Sequence, residues 1–188
     1  MLRLALIAVS LLAGVAQAQD LDALKADTRK NALPVLPKVV GMMQETVADK
    51  GPIEAIPVCK EKAPELLREQ AARTGWDMRR VSLKTRNPER GTPDVWEARQ
   101  LADFNIRAAA GEKVETLETG ELVTENGKQV YRYIRAIPVG GVCLTCHGPA
   151  DRIEAGLKSQ LARSYPHDQA FGYEKGMIRG ALTVKRPL

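Results

Sequence analysis

Cys143, Cys146 and His147 form a C-x-x-C-H box, the residue pattern that attaches a c-type haem. Two thiols at this spacing can each add across a vinyl group of the same porphyrin, and the adjacent imidazole then lies beneath the iron. The box therefore predicts one covalently bound haem c. In this interpretation Cys143 and Cys146 form the thioethers, and His147 is the proximal iron ligand.

Two other kinds of site use closely spaced cysteines. A disulfide oxidoreductase usually places C-x-x-C at the start of a helix that follows a parallel strand, whereas a predicted β-hairpin precedes this box. A structural zinc site would need a fourth ligand, which Cys59 or His167 would have to supply. We therefore favour a haem over both alternatives.

The first 18 residues have the three regions of a secretory signal peptide. Arg3 provides a positive charge, residues 4–16 are apolar, and Ala16-Gln17-Ala18 is a small-x-small cleavage site. The apolar run is short for a membrane span, and no later segment is long or apolar enough to be one. We expect cleavage after Ala18 and a periplasmic or otherwise exported protein without a transmembrane segment.

The remaining residues, 19–188, suit a single domain. The formal net charge of +5 falls by one when Arg3 is removed, so the mature chain is mildly basic, and export disfavours nucleic acid as a partner. Basic residues gather between Arg79 and Arg90. We expect a solvated loop there, and the alternative is a patch for haem propionates or for an acidic redox partner.

Hydrophobic periodicity and turn residues predict an α+β fold, with helices first and an antiparallel sheet later. We predict helices over Pro37–Asp49, Ile53–Arg73 (kinked or divided at its prolines), Thr92–Ala110 and Ile153–Leu161. We predict strands over Trp76–Leu83, Val114–Thr124, Gln129–Val139 and Ile178–Val184. This order differs from the all-helical fold usual for small cytochromes c.

Two turn signals are specific. Asn126-Gly127 between two β-rich runs indicates a type I′ hairpin, because that turn needs positive φ at both central residues. Thr92-Pro93 indicates a helix start, with Thr92 as the N-cap and Pro93 at the first position. In that helix we expect the apolar side chains to face inward, namely those of Val95, Ala98, Leu101 and Phe104.

Cys59 is left without an intramolecular partner once the haem has taken the other two of the three cysteines. It is then a buried thiol, an intermolecular bridge or a metal ligand. As sixth ligand of the iron it competes with other side chains, namely those of His167, Met42, Met43, Met78 and Met177. His167 lies in a polar loop, and Met42 and Met43 lie at helical core spacing.

Several segments resemble the signature of a family of exported c-type haem proteins with a PAS-like fold, long catalogued as a domain of unknown function. They are Ile56–Pro64 around Cys59, Thr85–Pro88, Pro93–Glu97 and Cys143–Pro149. The resemblance covers roughly Leu24 to Val184, with the motifs in the same order. Members of this family occur as stand-alone cytochromes and as sensory modules of membrane receptors.

The resemblance implies a PAS-like antiparallel sheet flanked by helices, with the haem between the sheet and the N-terminal helices. It also implies that Cys59 is the sixth iron ligand, opposite His147. A thiolate ligand favours ferric iron, so the reduction potential should be low. Residues 19–188 are thus expected to form one haem-binding, PAS-like domain.

Two classes of function agree with these residues. One is a low-potential electron carrier or redox sensor with an unidentified redox or signalling protein as partner, and with the N-terminal helix as a possible dimer contact. The other is a haem enzyme or gas-binding protein, such as a peroxidase, with an open or labile sixth site. The chain has two histidines, so distal groups for peroxide chemistry are few, and we expect a carrier or sensor and no enzyme.

Overall fold

An antiparallel sheet of four strands forms the centre of the fold, in the order β1-β4-β3-β2. The computed structural model describes residues 20–188, and the predicted signal peptide lies outside that range. The strands are β1 Asp77–Val81, β2 Glu118–Glu125, β3 Lys128–Pro138 and β4 Ile178–Pro187. The predicted α+β class is confirmed, because helices flank this sheet.

The α-helices lie before β1, between β1 and β2, and between β3 and β4 along the chain. They are α1 (residues 20–32), α2 Val35–Lys50, α3 Ala63–Thr74, α4 Pro88–Gly91, α5 Val95–Ala109, α6 Leu144–His147 and α7 Ala155–Ser164. A π-helical turn, Val58–Lys62, leads into α3, and a 3₁₀ turn, Val114–Thr116, leads into β2. None of the helices described here is long and apolar enough to cross a membrane.

Each face of the sheet carries a separate apolar cluster. Tyr131, Tyr133 and Leu182 point to the face covered by α1, α2 and α3. Ile134 and Ala181 point to the other face, which α5 covers. Because side chains alternate along a strand, β3 and β4 supply both clusters.

The hairpin between β2 and β3 forms at the predicted turn. Asn126 has φ of 53° and Gly127 has φ of 76°, as a type I′ turn requires. The register pairs Glu125 with Lys128 across this turn. The hairpin prediction is therefore confirmed.

The start of α5 differs from the prediction, because Asp94 rather than Thr92 is its N-cap. Asp94 accepts a hydrogen bond from the Glu97 amide at 2.9 Å, and Glu97 accepts one from the Asp94 amide at 2.8 Å, which makes a capping box. The Thr92 hydroxyl instead donates to the Pro88 carbonyl, so Thr92 ends α4. Val95 is 89% exposed rather than buried.

The stretch that contains Cys59 forms two helical elements in series. The π-helical turn follows Pro57, and Pro64 lies in the first turn of α3, where a missing amide proton costs little. Gly75 ends α3 in a left-handed conformation with φ of 72°. The sequence patterns did not indicate α1, and they left Pro88–Gly91 as an irregular loop where α4 forms.

Candidate functional site

A cavity of about 530 Å³ lies where the helices α2 and α3 meet the β1 and β4 strands. The π-helical turn and residues of the C-x-x-C-H box complete its lining. Its volume is within the range of pockets that hold small molecules and cofactors.

The cavity brings together three of the four predicted site residues. Cys59, Cys143 and His147 line it, although Cys59 comes from a distant part of the chain. Cys146 packs next to it against an apolar cluster that includes Ile56. Of the competing sixth ligands, Met43 and Met78 line the cavity. The others, Met42, Met177 and His167, are not part of its lining.

The C-x-x-C-H box occupies a single helical turn. Cys143 is the N-cap of α6, and the His147 amide donates to the Cys143 carbonyl at 2.9 Å. Residues three and four apart share one side of such a turn, so the two thiols and the imidazole project from neighbouring positions. Gly148 follows because a Cβ there would lie 2.6 Å from the Leu144 carbonyl oxygen. Burial raises the pKa of the Cys146 thiol.

Hydrogen bonds orient the imidazole of His147. Its Nδ1 lies 2.8 Å from the Ala170 carbonyl oxygen, to which it donates, and this assigns the proton to Nδ1. Its Nε2 accepts a hydrogen bond from Arg179 Nε at 3.3 Å. Burial, together with the charges of Arg179 and Arg86, lowers the pKa of His147 well below the usual value. The ring is therefore neutral, and the Nε2 lone pair that accepts from Arg179 here is the one that would bind a metal ion in place of that contact.

Asp168 connects the His147 contact to the rest of the site. Its Oδ1 accepts the Ala170 amide at 2.8 Å. Its Oδ2 lies 2.8 Å from Arg86 Nε as an ion pair that lacks hydrogen-bond alignment. Arg86 Nη2 also donates to the Cys146 carbonyl at 2.6 Å. One carboxylate and one guanidinium thus join the box to the loop that precedes β4.

The basic stretch from Arg79 to Arg90 is only partly the solvated loop that we expected, because Lys84 and Arg90 are exposed but Arg86 is not. The Arg86 side chain is 10% exposed and is paired with Asp168, and Arg79 pairs with Glu97. Several cations of this stretch and of other elements line the cavity, namely Lys60, Arg68, Arg79, Arg80, Arg86, Arg90 and Arg179. Glu89 is the acidic residue of the lining, so the cavity favours anionic groups.

Cys59 lies beside a second sulfur atom. Its Sγ is 3.8 Å from Sδ of Met43 on α2, and both side chains are partly exposed in the cavity. Cys59 belongs to the π-helical turn, an uncommon element that often marks functional sites. The cavity therefore offers two soft sulfur donors close together.

The zinc alternative gains no support from this arrangement. Within residues 20–188, no group of three or more His, Cys, Asp or Glu side chains is placed to hold a metal ion. Cys59, Cys143 and Cys146 are all free thiols. A site that takes one or two protein ligands, as haem iron does, needs no such group.

The sequence analysis did not single out Asp168, Ala170 or Arg179. Asp168 lies beside His167 in the loop before β4, where His167 was the predicted candidate ligand. His167 is exposed, in agreement with a solvated histidine. Arg179 precedes Gly180, where a Cβ would lie 2.3 Å from the Val81 carbonyl oxygen. That close approach of β1 and β4 brings Arg179 to the cavity.

Comparisons with known proteins place the chain in a family. A family model described as Tll0287-like matches residues 13–187. The crystal structure of the cyanobacterial heme-protein Tll0287 matches with a TM-score of 0.67 and 24% identity, over 88% of this chain and 95% of that chain. At this identity, the structural match shows a shared fold. No curated protein matches the chain. Because the family model spans the described domain, the chain belongs to the Tll0287-like family.

Proposed function

We propose that the protein is an exported, low-potential electron carrier or redox sensor that holds one haem c in this cavity. Cys143 and Cys146 form the thioethers, His147 is the proximal ligand and Cys59 is the sixth ligand. The observation that carries the proposal is that Cys59 and His147 line the same cavity. The description of the family relative Tll0287 as a heme-protein supports the choice of cofactor.

The residues present fit a haem. The cavity has a suitable volume, a neutral imidazole with Nε2 unprotonated, and thiols in one helical turn. Its excess of cations suits two carboxylate groups, as haem propionates would supply. The haem would contribute a one-electron centre. Cys143 and Cys146 would hold the haem as thioethers, formed by addition of each S–H bond across a vinyl double bond, which would need no oxidant.

The role of each remaining group follows from its contacts. The Ala170 carbonyl holds the His147 ring in one orientation and makes its Nε2 more basic. Cys59 binds as the thiolate, the form in which cysteine is a metal ligand. Two strong donors favour ferric iron, which accounts for a low reduction potential. Tyr165 lines the cavity as a neutral phenol, since burial raises its pKa to about 12.

We assign a carrier or sensor rather than an enzyme because of the groups that line the cavity. Among the described residues, His147 is the histidine of that lining, and His167 is exposed elsewhere. The candidate sixth ligands are sulfur atoms, and a bound sulfur would leave no open iron position for peroxide. The redox or signalling partner and a homodimer through the N-terminal helices remain predictions, as does export through residues 1–18.

Covalent attachment can be tested by extraction. The full chain is expressed with periplasmic cytochrome c maturation, purified and treated with acidified acetone. We expect the haem to stay on the polypeptide, and Cys143→Ala with Cys146→Ala to yield little or no holoprotein. Extraction of the colour into acetone would contradict a c-type haem.

The sixth ligand can be tested with Cys59→Ala, with Met177→Ala as a control because Met177 is exposed and outside the cavity lining. We expect the ferric wild type to be six-coordinate and low-spin with thiolate features in its absorption spectrum. Cys59→Ala should open the ferric site, raise the reduction potential and admit imidazole to the ferric protein. If Cys59→Ala leaves the spin state, the reduction potential and the binding of imidazole unchanged, Cys59 is not an iron ligand.

A further inference from the structure

We infer that Met43 is a second iron ligand, which replaces Cys59 as the sixth ligand when the iron is reduced. This inference rests on the proposed function, because it requires a haem held by His147 and Cys59. Its basis is the 3.8 Å separation between Met43 Sδ and Cys59 Sγ in one cavity. The two sulfur donors are therefore neighbours in the cavity that His147 also lines.

Met43 projects toward the cavity along one face of α2. Val39, Val40 and Met43 all line the cavity, at the helical spacing of three and four residues. Met42 is adjacent in sequence but is not part of the lining. Met78 also lines the cavity, but it is 6% exposed and packs in the core with Leu67 and Val184. Met43 is therefore the thioether placed beside Cys59.

The two sulfur atoms suit different oxidation states of iron. A thiolate donates negative charge and stabilises the ferric state, whereas a neutral thioether opposite histidine raises the potential and favours the ferrous state. Reduction takes one electron from a one-electron donor protein. Cys59 leaves the iron and takes one proton from water to become a thiol, and the Met43 lone pair forms the new bond. Oxidation reverses both changes.

The local structure allows both side chains to move. Cys59 lies in a five-residue π-helical turn without a side-chain cap, and its amide contacts the Ala55 carbonyl at 3.5 Å, a long hydrogen bond. Methionine has three rotatable side-chain bonds and adapts readily to irregular space. Met43 can therefore change its side-chain rotamer within the cavity while α2 stays in place.

The test compares Met43→Leu with the matched control Met42→Leu in the full-length holoprotein. Both variants should keep the thiolate-type ferric spectrum. Reduced wild type and Met42→Leu should be six-coordinate and low-spin, with a methionine methyl signal far upfield in the proton NMR spectrum. Reduced Met43→Leu should lose that signal and bind carbon monoxide at least about tenfold faster. If the sixth ligand binds ferrous iron tenfold more weakly, the reduction potential falls by about 59 mV.

The outcomes separate this inference from the proposed function. A ferric wild type without thiolate features overturns the proposed function and this inference with it. Ferric thiolate features without an upfield methionine methyl in the reduced wild type overturn the inference alone. So does loss of that methyl signal in Met78→Leu but not in Met43→Leu. If Met43→Leu does not accumulate, the wild-type NMR spectrum decides whether a methionine ligates, and retention of the signal in both Met42→Leu and Met78→Leu assigns it to Met43.

Discussion

His147 Nδ1 donates to the Ala170 carbonyl oxygen at 2.8 Å, and this contact determines which ring nitrogen faces a metal. The Ala170 amide is held in turn by Asp168 at 2.8 Å. A hydrogen bond of this kind on a ligating histidine fixes its tautomer and increases its basicity. The loop before β4 therefore orients the imidazole that we propose as an iron ligand.

Asp168→Ala should raise the reduction potential. The change frees the Ala170 peptide, weakens the support of His147 and removes a negative charge near the iron, and each effect disfavours ferric iron. We expect a rise on the order of 50 mV in a spectroscopic redox titration. Asp151→Ala is the control, because Asp151 is an exposed carboxylate shortly after the box. Equal potentials in the two variants would contradict a role for Asp168.

Arg179→Gln should change the potential in the opposite direction. Arg179 lines the same cavity as His147, so its positive charge would stabilise an added electron on an iron bound there. Its removal should lower the potential by on the order of 50 mV. Arg186→Gln on the same strand is the control, since Arg186 pairs with Asp27 away from the cavity lining. A rise in potential for Arg179→Gln would refute this electrostatic account.

Glu118→Gln should strongly destabilise the fold. The buried Glu118 carboxylate accepts from the Tyr133 hydroxyl at 2.6 Å and from Arg135 at 2.8 Å. It also pairs with Lys25 and Arg29 of α1, which it holds against the sheet. Loss of its charge weakens every contact of this cluster, but its cations are partly exposed, so we expect a loss of about 1.5–3 kcal/mol, as for a hydrogen bond to a charged group.

The measurement for Glu118→Gln is the free energy of unfolding from urea titration. Glu65→Gln provides the matched control, because Glu65 forms an exposed pair with Lys62 at 2.9 Å. Exposed pairs contribute little to stability, so this control should unfold like the wild type. If both variants lose the same stability, the Glu118 cluster does not anchor α1.

Asp94→Ala should destabilise α5 at neutral pH and have less effect in acid. Burial raises the pKa of Asp94, but hydrogen bonds from the Glu97 amide and Arg132 outweigh it and hold that pKa below the usual value. Loss of the cap should cost about 1 kcal/mol. Because folding lowers the pKa of Asp94, its charge stabilises the folded state at pH values above the unfolded-state pKa of about 4. This contribution is lost as the pH falls.

Thermal unfolding of wild type and Asp94→Ala between pH 7 and pH 3 checks this expectation. The difference in stability should be largest at neutral pH and should shrink below about pH 4. Asp94→Asn is the matched control, because asparagine keeps a capping oxygen but lacks the charge. A difference that stays constant with pH would show that the Asp94 charge contributes nothing.

Local signals predicted the elements that depend on neighbouring residues. Asn126-Gly127 indicated its hairpin because positive φ is a property of those two residues. The start of α5 was misplaced by two residues, since both Thr92 and Asp94 can cap a helix. Asp94 is the N-cap because Glu97, three residues later, completes a capping box with it. The burial of Arg86 could not be predicted, because its partner Asp168 comes from a distant loop.

The sequence by itself determined that Cys143, Cys146 and His147 lie together, because they fall within one helical turn whose geometry is local, and it predicted their chemistry from that spacing. It also indicated an α+β order of elements and left Cys59 without an intramolecular partner. Only the tertiary structure decided which sulfur atoms share a cavity with His147. Packing of α2 and the π-helical turn against β1 and β4 brings Met43 and Cys59 there, because long-range packing depends on many distant contacts at once.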